Sequence, residues 1–149
     1  MNGQHSPSSG HQPPPTGARP PGDGRYSPPG ALPLFIFDGT CGFCQASVRW
    51  LQTRFSLPVP TAAAQRTDLA ALGLRAADTD REAWFVDGDR KYGGAPAVAA
   101  WLRTGGAVPA FLGWSMELPG VRVVSGLVYR VVARNRHRIP GPWKGSCAL

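Results

Sequence analysis

Apolar positions change their period along this chain, and the changes mark out its elements. Leu34 to Phe37 is an unbroken apolar run bounded by Pro33 and Asp38-Gly39, the length and flanks of a buried strand. From residue 42 to 55, Val48, Leu51 and Phe55 recur at intervals of three and four, which predicts a helix with one packed face. Thr40 has the character of its N-cap. Pro58 and Pro60 end that helix and leave room for only a short or edge strand around Val59 to Ala63. Thr67-Asp68 can cap a brief helix through Leu69 and Leu72, closed by Gly73.

Ala83 to Val86 and Lys91-Tyr92 are extended runs around Asp87-Gly88-Asp89, a hairpin signal. Gly93-Gly94-Ala95 turns the chain into a helix with Pro96 near its first position and Val98, Trp101 and Leu102 on its buried face. Pro109 and Pro119 bracket a hydrophobic segment, Ala110 to Leu118, readable as a helix or an irregular turn. Residues 121 to about 134 predict a last helix with Val121, Val124, Val128, Val131 and Val132 along one side. The order is strand, helix, strand, helix, hairpin, helix and further helices.

Composition restricts the folded part. Pro, Gly, Ser, Gln and His dominate residues 1–30, where Tyr26 is the sole large apolar or aromatic side chain after Met1. Such a segment buries too little surface to offset its ordering entropy, so a disordered tail is expected there and one domain over 31–149. The tail has neither the basic start nor the apolar core of a signal peptide. The net charge of +7 is concentrated at the far end, since residues 121–149 hold six basic and no acidic side chains.

The chemistry centres on Cys41-Gly42-Phe43-Cys44, between the first strand and the first helix. Two thiols at this spacing can close on each other, and the helix N-terminus favours a thiolate on the first. Cys41 is therefore expected to be exposed and reactive, with Cys44, one turn in, partly covered. Gly42-Phe43 carries no charge, so the helix N–H groups are expected to lower the Cys41 pKa. Three cysteines without an export signal suggest a reducing, cytoplasmic setting, where such a pair is more often catalytic or metal-binding than structural. Zinc would need four ligands, and only His137 and Cys147 could complete a site. Cys147 can equally be a third redox player or an idle tail cysteine. Asp38 has two readings: a proton relay for Cys44, or the turn residue that shapes the strand exit.

This order of elements, with the dithiol after the first strand, is that of an α/β thioredoxin-like fold: a central mixed sheet flanked by helices, here with extra C-terminal helices. The sequence resembles the bacterial DCC family of predicted thiol-disulfide oxidoreductases. Asp38, Cys41 and Cys44 stand as its Asp-x-x-Cys-x-x-Cys signature. Val48-Arg49-Trp50-Leu51, Tyr92-x-Gly94-Ala95 and Val128-Tyr129-Arg130 leading to Ala133-Arg134-Asn135-Arg136 are further blocks. The resemblance spans about residues 33–147. It implies dithiol-disulfide exchange, with Cys41 as attacking and Cys44 as resolving thiol, a disulfide-containing protein or small thiol as substrate, and an external thiol reductant.

Two departures stand out. Thioredoxins place a cis-proline before the third strand, facing the dithiol, where this chain has Asp80-Arg81-Glu82. Thr40 stands where the family often has an acidic residue. No nucleotide-binding loop implies an FAD or NAD site, so no cofactor is expected, and no nucleic-acid motif accompanies the basic residues. Arg134, Arg136 and Arg138 can guide an acidic partner, approach the dithiol, or act as ordinary helix-dipole partners. The valines and arginines of residues 121–138 also fit peripheral contact with an anionic membrane, the basis of a non-catalytic adaptor as the alternative function.

Overall fold

The computed structural model describes residues 33–139 and Gly141. The expectations for the 1–30 tail and Cys147 lie outside these residues. The elements are β1 (Leu34–Phe37), α1 (Gly42–Phe55), β2 (Thr61–Ala63), a 3-10 turn (Ala64–Arg66), α2 (Ala76–Thr79), β3 (Trp84–Asp87), β4 (Arg90–Gly93), α3 (Ala95–Leu102), α4 (Ala107–Ser115) and α5 (Pro119–Asn135).

The four strands form one mixed sheet in the order β2-β1-β3-β4. β1 runs parallel to β2, with Phe35 opposite Thr61, and antiparallel to β3, with Phe35 opposite Phe85. The expected thioredoxin-like α/β fold is present, with the dithiol at the C-terminal end of β1. The apolar run of β1 is explained by burial on both faces. Phe35 and Phe85 join Val48 of α1 and Ala97, Trp101 and Leu102 of α3 on one side. Leu34, Ile36 and Val86 meet Ala64 and Leu74 on the other. Trp101 stacks on Phe35 with ring centroids 4.2 Å apart.

Some local expectations shift. Leu69 to Gly73 is a series of turns rather than a helix: Leu74 N–H returns to the Leu69 carbonyl at 2.8 Å, and Gly73 has a φ of 63°, which ends helical progression. The regular turn, α2, comes three residues after it. The hairpin pairs Asp87 with Arg90, so its loop residues are Gly88-Asp89. Only the glycine there has positive φ, the arrangement of a II′ turn. α4 begins at Ala107, before Pro109, which sits in the first turn where its missing N–H has no helical partner to lose.

α5 departs most from the simple amphipathic picture. Val121, Val124, Val128 and Val131 stand exposed, separated from Val132, which is half-buried. The side turned inward carries Ser125, Tyr129, Val132, Ala133 and, just past the last turn, Arg136. No described helix is long and apolar enough to cross a membrane.

Candidate active site

The strand exit is fixed by Asp38. Its Oδ1 accepts from Thr40 N–H at 2.9 Å, Thr40 Oγ1 at 2.7 Å and Gln65 Nε2 at 3.1 Å, so the Asx-type turn is present. Gln65 also accepts from Gly39 N–H at 2.9 Å, which ties the turn to the end of β2. The approach is close: a Cβ on Gly39 would lie 2.6 Å from that of Ala63.

Because the Thr40 hydroxyl is engaged by Asp38, the N-cap of α1 is Cys41, one residue later than expected. Cys41 has extended backbone, and its Sγ accepts from Cys44 N–H at 3.2 Å. An N-cap sulfur therefore occupies the place usually held by a hydroxyl or carboxylate oxygen. Both cysteines are free thiols. Cys44 is half-buried, as expected, but Cys41, expected to be exposed, is only 1% exposed. The sulfur that caps the helix must point back over its N-terminus, into the crowded turn.

The electrostatics set the two thiols apart. A hydrogen bond from the Cys44 thiol brings the Cys41 pKa down to about 6; burial opposes this, while Cys44 N–H and the Arg136 charge assist it. The helix N–H contributes, but the partner thiol has the largest effect, a correction to the expectation from sequence. Cys44 moves the opposite way, held protonated by its bond to Cys41 and by burial. At neutral pH the resting pair is thus a Cys41 thiolate and a Cys44 thiol.

Arg136, 92 residues from Cys44 in sequence, brings its Nη1 to 4.0 Å from the Cys44 sulfur. Its Nη2 pairs with Asp38 Oδ2 at 3.1 Å and donates to the Asp80 carbonyl. Arg136 is 8% exposed and Asp38 5%. Burial pushes the Asp38 carboxyl up, but the bonds from Thr40 and Gln65 and the Arg136 charge outweigh it and hold the group below its usual range. A buried ion pair is costly to desolvate and weak evidence for stability alone; beside a reactive thiol it has a functional use.

The Asp80-Arg81-Glu82 stretch and Ala83 after it are held by a side chain of α5 and by that of Arg136 just past its end. Besides the Asp80–Arg136 bond, Ala83 N–H donates to Tyr129 Oη at 2.8 Å. No cis peptide occurs among the described residues. Between α1, the sheet and α5 lies a cavity of about 100 Å³, walled by Phe37, Cys44, Leu51, Trp101, Tyr129 and Arg136 among others.

The structure therefore gathers Asp38, Cys41 and Cys44, as expected, and adds Arg136, Tyr129 and Gln65. Of the three arginines near the end of α5, Arg136 alone is buried. It continues the inward side of α5, on which Ser125, Tyr129, Val132 and Arg136 recur at intervals of four, three and four, and it fulfils one of the readings left open for the three arginines, approach to the dithiol. His137 is exposed, and Cys147 falls outside the described residues. Among the described residues, no cluster of three His, Cys, Asp or Glu could hold a metal ion.

Comparison with curated proteins and with solved structures returns no match. A family model does match: that of the DCC1-like thiol-disulfide oxidoreductases, over residues 35–142. The match covers the sheet, the dithiol and the α5 residues that close over it, and the chain belongs to the DCC1-like thiol-disulfide oxidoreductase family.

Proposed function

We propose that the protein reduces disulfides of proteins or small thiols through the Cys41–Cys44 pair. The observation that carries this reading is the placement of the pair at the start of α1, with Cys41 Sγ accepting Cys44 N–H at 3.2 Å and Arg136 Nη1 4.0 Å from Cys44 Sγ, an arrangement that drives the two thiols' ionisation apart. The Cys41 thiolate attacks one substrate sulfur. A mixed disulfide forms, and the other substrate sulfur leaves as a thiolate that takes a proton from water. Cys44 then loses its proton to water and attacks the Cys41 sulfur, which closes the Cys41–Cys44 disulfide and releases the second substrate sulfur as a thiolate that takes up a proton in turn. The substrate gains two electrons and two protons, and an external thiol reductant restores the dithiol.

Arg136 acts in the second half. Consuming the Cys41 thiolate removes the hydrogen bond and the Cys41 charge that raise the Cys44 pKa, while burial remains, opposed by the guanidinium, which favours the Cys44 thiolate. Asp38 holds that guanidinium in place. Its own lowered pKa makes it a weak proton acceptor, so the turn-and-anchor role is the stronger of its two readings. Cys41 is covered at rest, so attack follows a local opening of the 38–41 turn.

The test uses Cys147→Ser as background, adding Cys44→Ser or Cys41→Ser, each exposed to glutathione disulfide and mapped by mass spectrometry. A persistent glutathione adduct on Cys41 in the Cys44→Ser protein, with little on Cys44 in the Cys41→Ser protein, is expected. The reverse pattern would transfer the attacking role to the more exposed Cys44. No adduct in either would remove the exchange reading.

A further inference from the structure

α4 and α5 both pack on α3, yet both turn large apolar side chains to solvent. Val108, Phe111, Leu112 and Trp114 of α4 are exposed. On α5, Val123 is 72% exposed, Leu127 62% and Val131 54%. Ordinary surfaces scatter such residues singly, whereas a dense group of them marks an interaction site.

At 3.6 residues per turn, Arg134 and Arg138 lie on the same outward face of the α5 path as Leu127 and Val131, and both are exposed. No acidic residue occurs after Glu117, and Glu117 is tied to Arg103 at 2.6 Å. The face thus offers apolar side chains along α5 and arginines in and just past its last turn, on a helix with no carboxylate of its own; from other elements, Asp80 and Glu82 line a pocket with Arg130 and Arg134 and leave Arg138 aside. We propose that α5 docks this protein on an anionic lipid surface, lying in the plane of the interface.

Charge complementarity selects this occupant. A second copy apposed through the same helix face would bring the same arginines and no acidic residue of α5 against them. The protein's first thirty residues, with Tyr26 as their sole large apolar or aromatic side chain after Met1, cannot supply an apolar complement. An anionic bilayer offers both halves: acyl chains for Val123, Leu127 and Val131, and headgroup charge for arginines, whose long apolar stems suit the boundary between the two. The inward face of the same helix carries Tyr129 and Arg136, so docking by the outer face leaves the contacts to the dithiol intact. The proposal stands independently of the exchange chemistry.

The test is co-sedimentation of the full chain with phosphatidylcholine vesicles, with and without about one-third phosphatidylglycerol, at ~0.1 M and ~1 M salt. Binding to the anionic vesicles alone, weakened by salt, is expected. Each arginine near a charged surface contributes about a five-fold factor in partitioning, so Arg134→Gln with Arg138→Gln should lower it roughly 25-fold. Leu127→Glu with Val131→Glu should abolish binding while circular dichroism stays unchanged. Failure of the wild type to sediment with anionic vesicles would overturn the proposal. So would unchanged binding by the arginine pair variant, or a concentration-dependent dimer in sedimentation velocity that Leu127→Glu dissolves.

Discussion

α3 and α5 are held to the same body by different means. α3, eight residues long, buries Ala95, Ala97, Ala99, Trp101 and Leu102 and is secured by apolar area and the Trp101–Phe35 stack. α5, at seventeen residues, fully buries none of its own. Its described polar ties to the rest of the protein are Tyr129 Oη, which receives Ala83 N–H, and Arg136 just beyond it, bound to Asp38 and Asp80. Both anchors reach groups around the dithiol. α3 therefore belongs to the stability of the fold, while α5 is fastened to the reactive centre and leaves its apolar side for something else.

The comparison breaks first if α3 can be emptied cheaply. Trp101 is fully buried, and Trp101→Ala should cost ~4 kcal/mol, the range of large core truncations. Urea unfolding monitored by circular dichroism would measure it. A loss below ~1.5 kcal/mol would mean that the α3 core can collapse onto the gap and is not the main support.

Arg136→Met is the matching cut at α5. It leaves Asp38 buried without its cation, at a cost of ~3 kcal/mol for a pair broken from one side. It should also raise the Cys41 pKa, because the Arg136 charge is among the causes of its depression, and slow closure of the intramolecular disulfide. A neutral core replacement would move stability alone, so the ultraviolet thiolate titration is the deciding measurement. In the reduced wild type the midpoint should lie at about 6. That pKa is below the ordinary thiol value of 9.0, so ionisation favours the native state. This contribution is complete above about pH 9 and disappears as the pH falls through about 6. Cys44, with its pKa raised, stays protonated across that window. An unmoved midpoint in Arg136→Met would leave the arginine a purely structural anchor.

What was legible in the sequence was local. The apolar run of β1, the three-and-four spacing of α1 and the placement of Cys41 and Cys44 between them follow from neighbours a few residues apart, so strand, helix and dithiol emerged together. The N-cap was missed because two claims compete for Thr40: its hydroxyl can cap α1 or bond Asp38, and Asp38 has it. The burial of Cys41 follows from that outcome. Arg136 could not be separated from Arg134 and Arg138 by spacing alone, since which of them turns inward depends on how α5 sits over the start of β3. The valine pattern showed an amphipathic helix but not which side has a partner. Tyr129 and Arg136 find theirs in the backbone of Ala83 and Asp80 and the carboxylate of Asp38, and the valines are left outside.

The smallest expected effect is the sharpest check on this difference between helices. Leu127 lies on the outward side of α5, 62% exposed, away from the inward side that carries both polar anchors. If α5 is held by Tyr129 and Arg136, shortening this side chain removes almost no buried area, and Leu127→Ser should shift stability by no more than ~0.5 kcal/mol, as at surface positions without special contacts. The same truncation at Leu102, 5% exposed on α3, falls in the range of about 2–5 kcal/mol for buried leucines. Urea unfolding of the two variants side by side makes the contrast quantitative, because the residue removed is identical and only its surroundings differ. A loss at Leu127 approaching that at Leu102 would show its side chain packed in the free protein, and the outer face of α5 would then belong to the core.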